Sequence, residues 1–205
     1  MKKTLLPLII VGFISSTSAS YGIVQAGVQM NYNSYLLAGN SQAARYTGFT
    51  YGGFGRITMG IPLIVTFGIG GYVDAGTLAK DSTELSLLRA GGELVLYLDI
   101  VEKIIGITPY ARVGFGYEGF KIPTTYAIAG TTTTASADAI YRGTSTHTLI
   151  GLNKNLFPAV NIFLEGGLVA NNLTAYIPSA LSGTVTAADI TTTGWRVSLG
   201  AMLWI

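Results

Sequence analysis

The sequence predicts an all-β chain, an eight-stranded antiparallel up-and-down transmembrane β-barrel, on three observations. Hydrophobic residues make up 49% of the 205 and charged residues only 11%, less than half of the roughly 25% usual in soluble domains. Mean hydropathy is +0.49, yet beyond the N-terminus no stretch comes near the roughly 18 uninterrupted apolar residues of a membrane helix. Lipid cannot satisfy stray backbone groups, so a membrane chain without such helices has to close a barrel. The second observation is an alternation of period two that recurs in eight segments. The third is that the connections between those segments are alternately long and short.

The first residues predict export. Lys2 and Lys3 precede the apolar run Leu5 to Ile14, and small or hydroxylated residues follow from Ser15 to Ser20. This is the layout of a secretory signal peptide, too short to cross a bilayer as a helix. Residues 1–19 are expected to be cleaved, after Ala19 or Ser20, leaving 20–205 as one barrel domain. Without Lys2 and Lys3, ten of the twelve basic residues face ten acidic ones. That balance gives no footing for nucleic acid. The absence of cysteine excludes disulfides and thiolate metal sites.

The strands read in order as follows. In Ile23 to Tyr32, Val24, Ala26, Val28, Met30 and Tyr32 oppose Gln25, Gly27, Gln29 and Asn31. In Phe49 to Ile61, Phe49, Tyr51, Ile57, Met59 and Ile61 oppose Thr50, Gly52, Arg56 and Thr58. In Leu63 to Ala75, Leu63, Val65, Phe67, Ile69 and Val73 oppose Thr66, Gly68, Tyr72 and Asp74. The fourth sets Leu88, Ala90, Leu94, Leu96 and Leu98 against Arg89, Gly91, Glu93 and Tyr97. The fifth sets Ala111, Val113, Phe115 and Tyr117 against Thr108, Tyr110, Arg112 and Glu118. The sixth, about Thr146 to Asn153, has the weakest pattern, with Thr148, Ile150 and Leu152 against His147, Gly151 and Asn153. The seventh sets Val160, Ile162, Leu164, Leu168 and Ala170 against Asn161, Phe163, Glu165 and Asn171. The eighth sets Trp195, Val197, Leu199, Ala201, Leu203 and Ile205 against Arg196, Ser198, Gly200, Met202 and Trp204.

Long connections are expected at 33–48, 76–85, 119–145 and 172–193, and short ones at Ile61-Pro62, Asp99 to Lys103 and Lys154 to Ala159. Long extracellular loops and short periplasmic turns put both ends of the barrel in the periplasm. Alternation alone also fits a soluble barrel that buries its apolar face. Three features turn that face toward lipid: polar faces built from Gly, Thr, Ser and Asn, aromatics near strand ends (Tyr32, Phe49, Tyr117, Trp195), and a last strand that stays apolar at alternate positions to the end.

Two segments carry a resemblance. TPYARVGFGY, Thr108 to Tyr117, resembles the recurrent fifth-strand segment of the outer-membrane β-barrel superfamily that includes the OmpA transmembrane domain, OmpX and OmpW-like small barrels. The closing GWRVSLGAMLWI is similar to the C-terminal signal read by the barrel assembly machinery, though it ends on Ile205 where an aromatic is usual and Trp204 falls on the opposite face. The resemblance implies the cell outer membrane as location. It also implies the assembly machinery during biogenesis, and outer-membrane lipid and lipopolysaccharide, as partners of a monomer.

An eight-stranded lumen is just wide enough for side chains to fill. Four arginines and four acids point inward. At about 3.3 Å per residue they sort into two neutral tiers: Arg56, Glu93, Arg112 and Glu165 near mid-height, and Asp74, Arg89, Glu118 and Arg196 nearer the outside. Bidentate Arg–carboxylate pairs are expected to plug the lumen, with Gly52, Gly68, Gly91, Gly114 and Gly167 making room. The competing reading is a pore lined by the same charges.

His147 is the only histidine and is expected at the outer rim of strand six. With no second His and no nucleophile in reach it supports no catalysis, so no enzyme, cofactor or metal is assigned. Gly114-Phe115-Gly116-Tyr117-Glu118-Gly119 satisfies a dinucleotide fingerprint but lies inside a strand and opens no helix. Two functions remain. One is a surface structural or adhesion protein acting through four extracellular loops on an unidentified ligand. The other is a narrow channel for small or hydrophobic solutes, as OmpW-like barrels suggest. Loop residues Leu36, Leu37, Ile122, Ile128, Ile177 and Leu181 would suit an adhesive tip or a greasy entrance.

Overall fold

The computed structural model describes residues 23–38, 43–61, 64–127, 134–157, 159–176 and 189–204. The expected signal peptide, the chain end at Ile205, and Ile128, Ile177 and Leu181 lie outside the described residues. Eight antiparallel strands close one ring. They are β1 (Ile23–Ala38), β2 (Ala43–Ile61), β3 (Val65–Lys80), β4 (Thr83–Tyr97), β5 (Thr108–Ala127), β6 (Thr134–Phe157), β7 (Val160–Tyr176) and β8 (Ile190–Trp204). One short helix, α1 (Asp99–Ile105), joins β4 to β5. No described helix is long and apolar enough to cross a membrane.

The register fixes the barrel's geometry. A row of partners runs Gln25, Arg56, Gly70, Glu93, Gly114, His147, Val169, Gly194 and returns to β1 at Tyr35, ten residues above its start. With strands about 4.8 Å apart and about 3.3 Å per residue, that stagger tilts them by about 40°. Each residue then climbs about 2.5 Å along the barrel axis.

The strands run well past the expected segments, because the alternation continues with its apolar phase reversed. In β1, Met30 and Tyr32 face outward, but Tyr35 and Leu37 are buried inside. In β4, Leu88 and Leu94 are exposed outward while Leu85 and Leu87 are buried. In β5, Phe115 and Tyr117 are exposed and Phe120 is buried. The expected loop at 76–85 is therefore a hairpin whose turn sits at Asp81 (φ 53°) and Ser82. Most of the expected loops 33–48 and 119–145 is strand as well. Strand six, expected to be the weakest, is the longest, 24 residues. Its alternation was faint because Thr144, Thr146 and Thr148 face outward opposite the inward Ser145 and His147, so both faces are polar there.

Candidate functional site: the lumen and the extracellular collar

The interior is stacked in three layers. The lowest is aromatic: Phe54, Tyr97, Tyr110, Phe163 and Met202 pack together with Trp204 against them. Ring centroids lie 5.7 Å apart for Phe54–Phe163, 5.4 Å for Tyr97–Tyr110 and 6.2 Å for Tyr97–Trp204. Trp204 faces inward as its position in the alternation requires, its ring beside Tyr97.

The middle layer holds the eight charged residues singled out from the sequence, each buried in the lumen, with Arg56 set down into the aromatic layer, its Cζ 3.9 Å from the Phe54 ring centroid. Arg56 pairs with Glu93, and its Nη1 donates to the Tyr97 hydroxyl at 2.9 Å. Arg112 pairs with Glu165 and lies 3.5 Å from Glu93. Arg89 lies 3.1 Å from Asp74 and 3.6 Å from Glu118. Arg196 joins the tiers, 3.2 Å from Asp74 and 3.4 Å from Glu165. The expected forks between single partners are replaced by bridges, because Arg89, Arg112 and Arg196 each reach two acids.

Neutral groups complete this layer. Gln29 and Asn31 donate to Asp74 Oδ1 at 2.7 and 3.1 Å, and Tyr110 donates to Glu165 at 2.9 Å. Ser145 and Asn171 donate to Glu118 at 3.1 and 2.9 Å. Their role was not anticipated, although the inward amides Gln25, Gln29, Asn31 and Asn33 of β1 were a visible signal. Such shared partners satisfy charges that would otherwise carry a large desolvation cost.

His147 is not at the rim. It is buried, its ring edge-on to Tyr72 with centroids 4.9 Å apart. Gly114 leaves the space it fills, since a Cβ at that position would run into the imidazole. The rim position failed because β6 continues to Thr134, which puts His147 well below the strand's upper end. Among the described residues no group of three or more His, Cys, Asp and Glu could hold a metal ion.

The upper layer is apolar: Tyr35, Leu37, Leu78, Leu85, Leu87, Phe120, Val169 and Leu173 form one buried cluster, with Ile122 packed against it. Leu37, expected at an exposed tip or entrance, is therefore part of an internal core, and Ile122 packs half-buried against it. Outside this layer the strands present exposed Thr77, Ser86, Thr144, Asn172 and Thr174. Below, the outward residues are exposed apolar ones such as Val28, Ile69, Leu94, Ile150 and Leu164. Aromatics mark the boundary, with Tyr32 at 5.2 Å from Phe49 and 5.5 Å from Trp195. We call the part above them the collar.

Among the described residues the hairpin of β5 and β6 stands tallest. β4 leaves β5 at the Ser86–Lys121 pair and β7 leaves β6 at the Ile140–Tyr176 pair, whereas β5 and β6 stay paired to Ala127–Thr134. Residues 123–127 and 134–139 therefore have only each other as strand neighbours among the described residues.

A closed antiparallel barrel with a lipid-facing apolar belt and an aromatic girdle is a transmembrane barrel of the outer-membrane class. No protein-family model matches the sequence, and no curated protein matches it. Among solved structures, the fold is similar to Neisserial surface protein A, with 13% identity over 88% of this chain and 97% of that one and a TM-score of 0.53. Further matches are Ail of Yersinia pestis in complex with a heparin analogue (13% identity, 87% and 98% covered, TM-score 0.41) and the outer membrane protein OprG of Pseudomonas aeruginosa (10% identity, 92% and 98% covered, TM-score 0.44). This protein is a small eight-stranded barrel of the cell outer membrane.

Proposed function

We propose that the barrel is a surface-interaction protein with a closed lumen, its contacts with other molecules made by the collar and above all by the β5–β6 hairpin. The observation that carries this reading is the stacking of three layers of buried side chains across the lumen. A conduit needs a continuous polar path or a weak constriction, and here buried side chains follow one another from Met202 and Tyr97 up to Leu37. A narrow channel would have to open the aromatic layer and the collar core together, at the cost of both.

The hairpin supplies what an interaction protein needs. Unpaired strand edges above the membrane are templates for an added strand. Above the Ser86–Lys121 and Ile140–Tyr176 pairs, both strands of the hairpin offer such an edge.

Two measurements test the proposal. Purified protein in planar bilayers is expected to give no steady conductance, and a stable conductance with the collar core intact would reject the closed lumen. Cells displaying the barrel are expected to retain extended peptides that can add as a strand, more than cells lacking it. A variant with 123–138 replaced by a two-residue turn is expected to lose that retention while keeping heat-modifiable migration. Equal retention by both would remove the hairpin from the proposal.

A further inference from the structure

We infer that α1 is a membrane-interface element whose apolar side lies in the periplasmic leaflet, with phospholipid acyl chains against Ile100, Ile104 and Ile105 and headgroup phosphate in reach of Lys103. The sequence DIVEKII, at about 100° per residue, puts Ile100, Val101, Ile104 and Ile105 on one arc and Asp99, Glu102 and Lys103 on the other. Two of the three polar residues, Asp99 and Glu102, are held by the barrel, and Lys103 is exposed. Thr66 donates to Asp99 at 2.6 Å, and Thr108 donates to Glu102 at 2.8 Å. The helix therefore cannot roll to bury its isoleucines in the lumen mouth.

Nothing among the described residues covers them. Ile104 is 79% exposed, Ile105 61% and Ile100 51%. Seven residues are also too few to hold a helix in water without a docked face.

Continuity with the lipid-facing belt names the occupant. The exposed Leu98 leads directly into α1, and the Ile100 N–H donates at 3.3 Å to the carbonyl of Ile64, another exposed apolar residue of the same rim. Height agrees. Leu88, at the level of the girdle, and Leu98 lie ten residues apart, about 25 Å along the axis, which is the height of such a belt. α1 thus begins where the belt ends. A Lys beside an isoleucine face is placed to reach phosphate while its stem stays in the apolar zone. Since Asp99 and Glu102 of α1 grip the lumen mouth, lipid on the helix's other side clips the mouth from outside.

The test uses nitroxide labels on Ile104→Cys and, as an independent reporter, Ile100→Cys, in full-length barrel reconstituted in phosphatidylethanolamine–phosphatidylglycerol vesicles. Heat-modifiable migration shows that each variant is folded. Leu94→Cys in the belt and Ser82→Cys at the hairpin turn serve as lipid and water references. Collisions with a water-soluble nickel chelate are expected to be several-fold fewer at 104 than at 82, and collisions with oxygen to approach those at 94. Nickel accessibility at 104 and 100 equal to that at 82 overturns the inference. So does protection that exists in native outer membranes but not in the vesicles, which would assign this face to a periplasmic protein.

Discussion

Below the girdle of Tyr32, Phe49 and Trp195, the strands turn apolar residues to the outside and hold charges inside; above it, the same strands turn Thr and Asn outward and hold leucines inside. One continuous sheet thus has two interiors. The difference follows from what lies outside the wall. Lipid accepts Leu94 and rejects a charge, so the inner positions must carry the polar groups. Water accepts Ser86 and Thr144, so the inner positions are left to build a hydrophobic core as in a soluble barrel. Within single strands the switch is a slip of one residue in the apolar phase, from Leu88 to Leu87 in β4 and between Tyr117 and Phe120 in β5.

Phe120→Ala empties the centre of the collar core and is expected to cost about 3–5 kcal/mol, read as a lower urea midpoint in detergent micelles. Glu165→Gln leaves Arg112 and Arg196 short of charge in the middle layer. About 3–5 kcal/mol is expected there too, with loss of heat-modifiable migration at a lower temperature. If Glu165→Gln were harmless while Phe120→Ala was not, the ion layer would contribute no stability and the division of labour would fail.

The outer faces sharpen the contrast. Leu94 and Ser86 both point outward from β4 and both are exposed. Leu94→Arg is expected to cost about 2–4 kcal/mol because it meets lipid near mid-depth. Ser86→Arg meets water and is expected to stay within about 0.5 kcal/mol of wild type. Equal costs in vesicle-based unfolding would move the membrane boundary away from the girdle.

The smallest effect is expected at the periplasmic mouth. Burial pushes the Asp99 carboxyl above its ordinary range, the Thr66 hydrogen bond opposes this, and nearby Glu102 adds to the rise. A carboxyl with a raised folded value favours the folded state at low pH, and that contribution fades as pH rises through its folded value. Asp99→Asn keeps an acceptor for Thr66 without the charge. It should flatten this slope of stability against pH in the acid range and leave neutral-pH stability unchanged or slightly higher. A steeper slope in the variant would reject this account.

Much of the lower half was legible in the chain. Each strand's inward set, from Gln25 in β1 to Arg196 in β8, follows from period two once lipid is placed outside. The collar was legible in principle, since Leu85 and Leu87 keep the alternation running in the other phase. It read as loop because a reversed phase beside Thr-rich stretches looks like the end of a pattern. His147 was misplaced for the same reason.

By itself, then, the sequence determined a closed transmembrane barrel and the faces of its strands, because alternation and charge scarcity are local properties. Only the tertiary structure decided which acid each arginine bridges, how high His147 sits and where the interior changes from ionic to apolar. Those depend on the ten-residue stagger with which β8 meets β1, a relation between the two ends of the barrel that no local pattern carries.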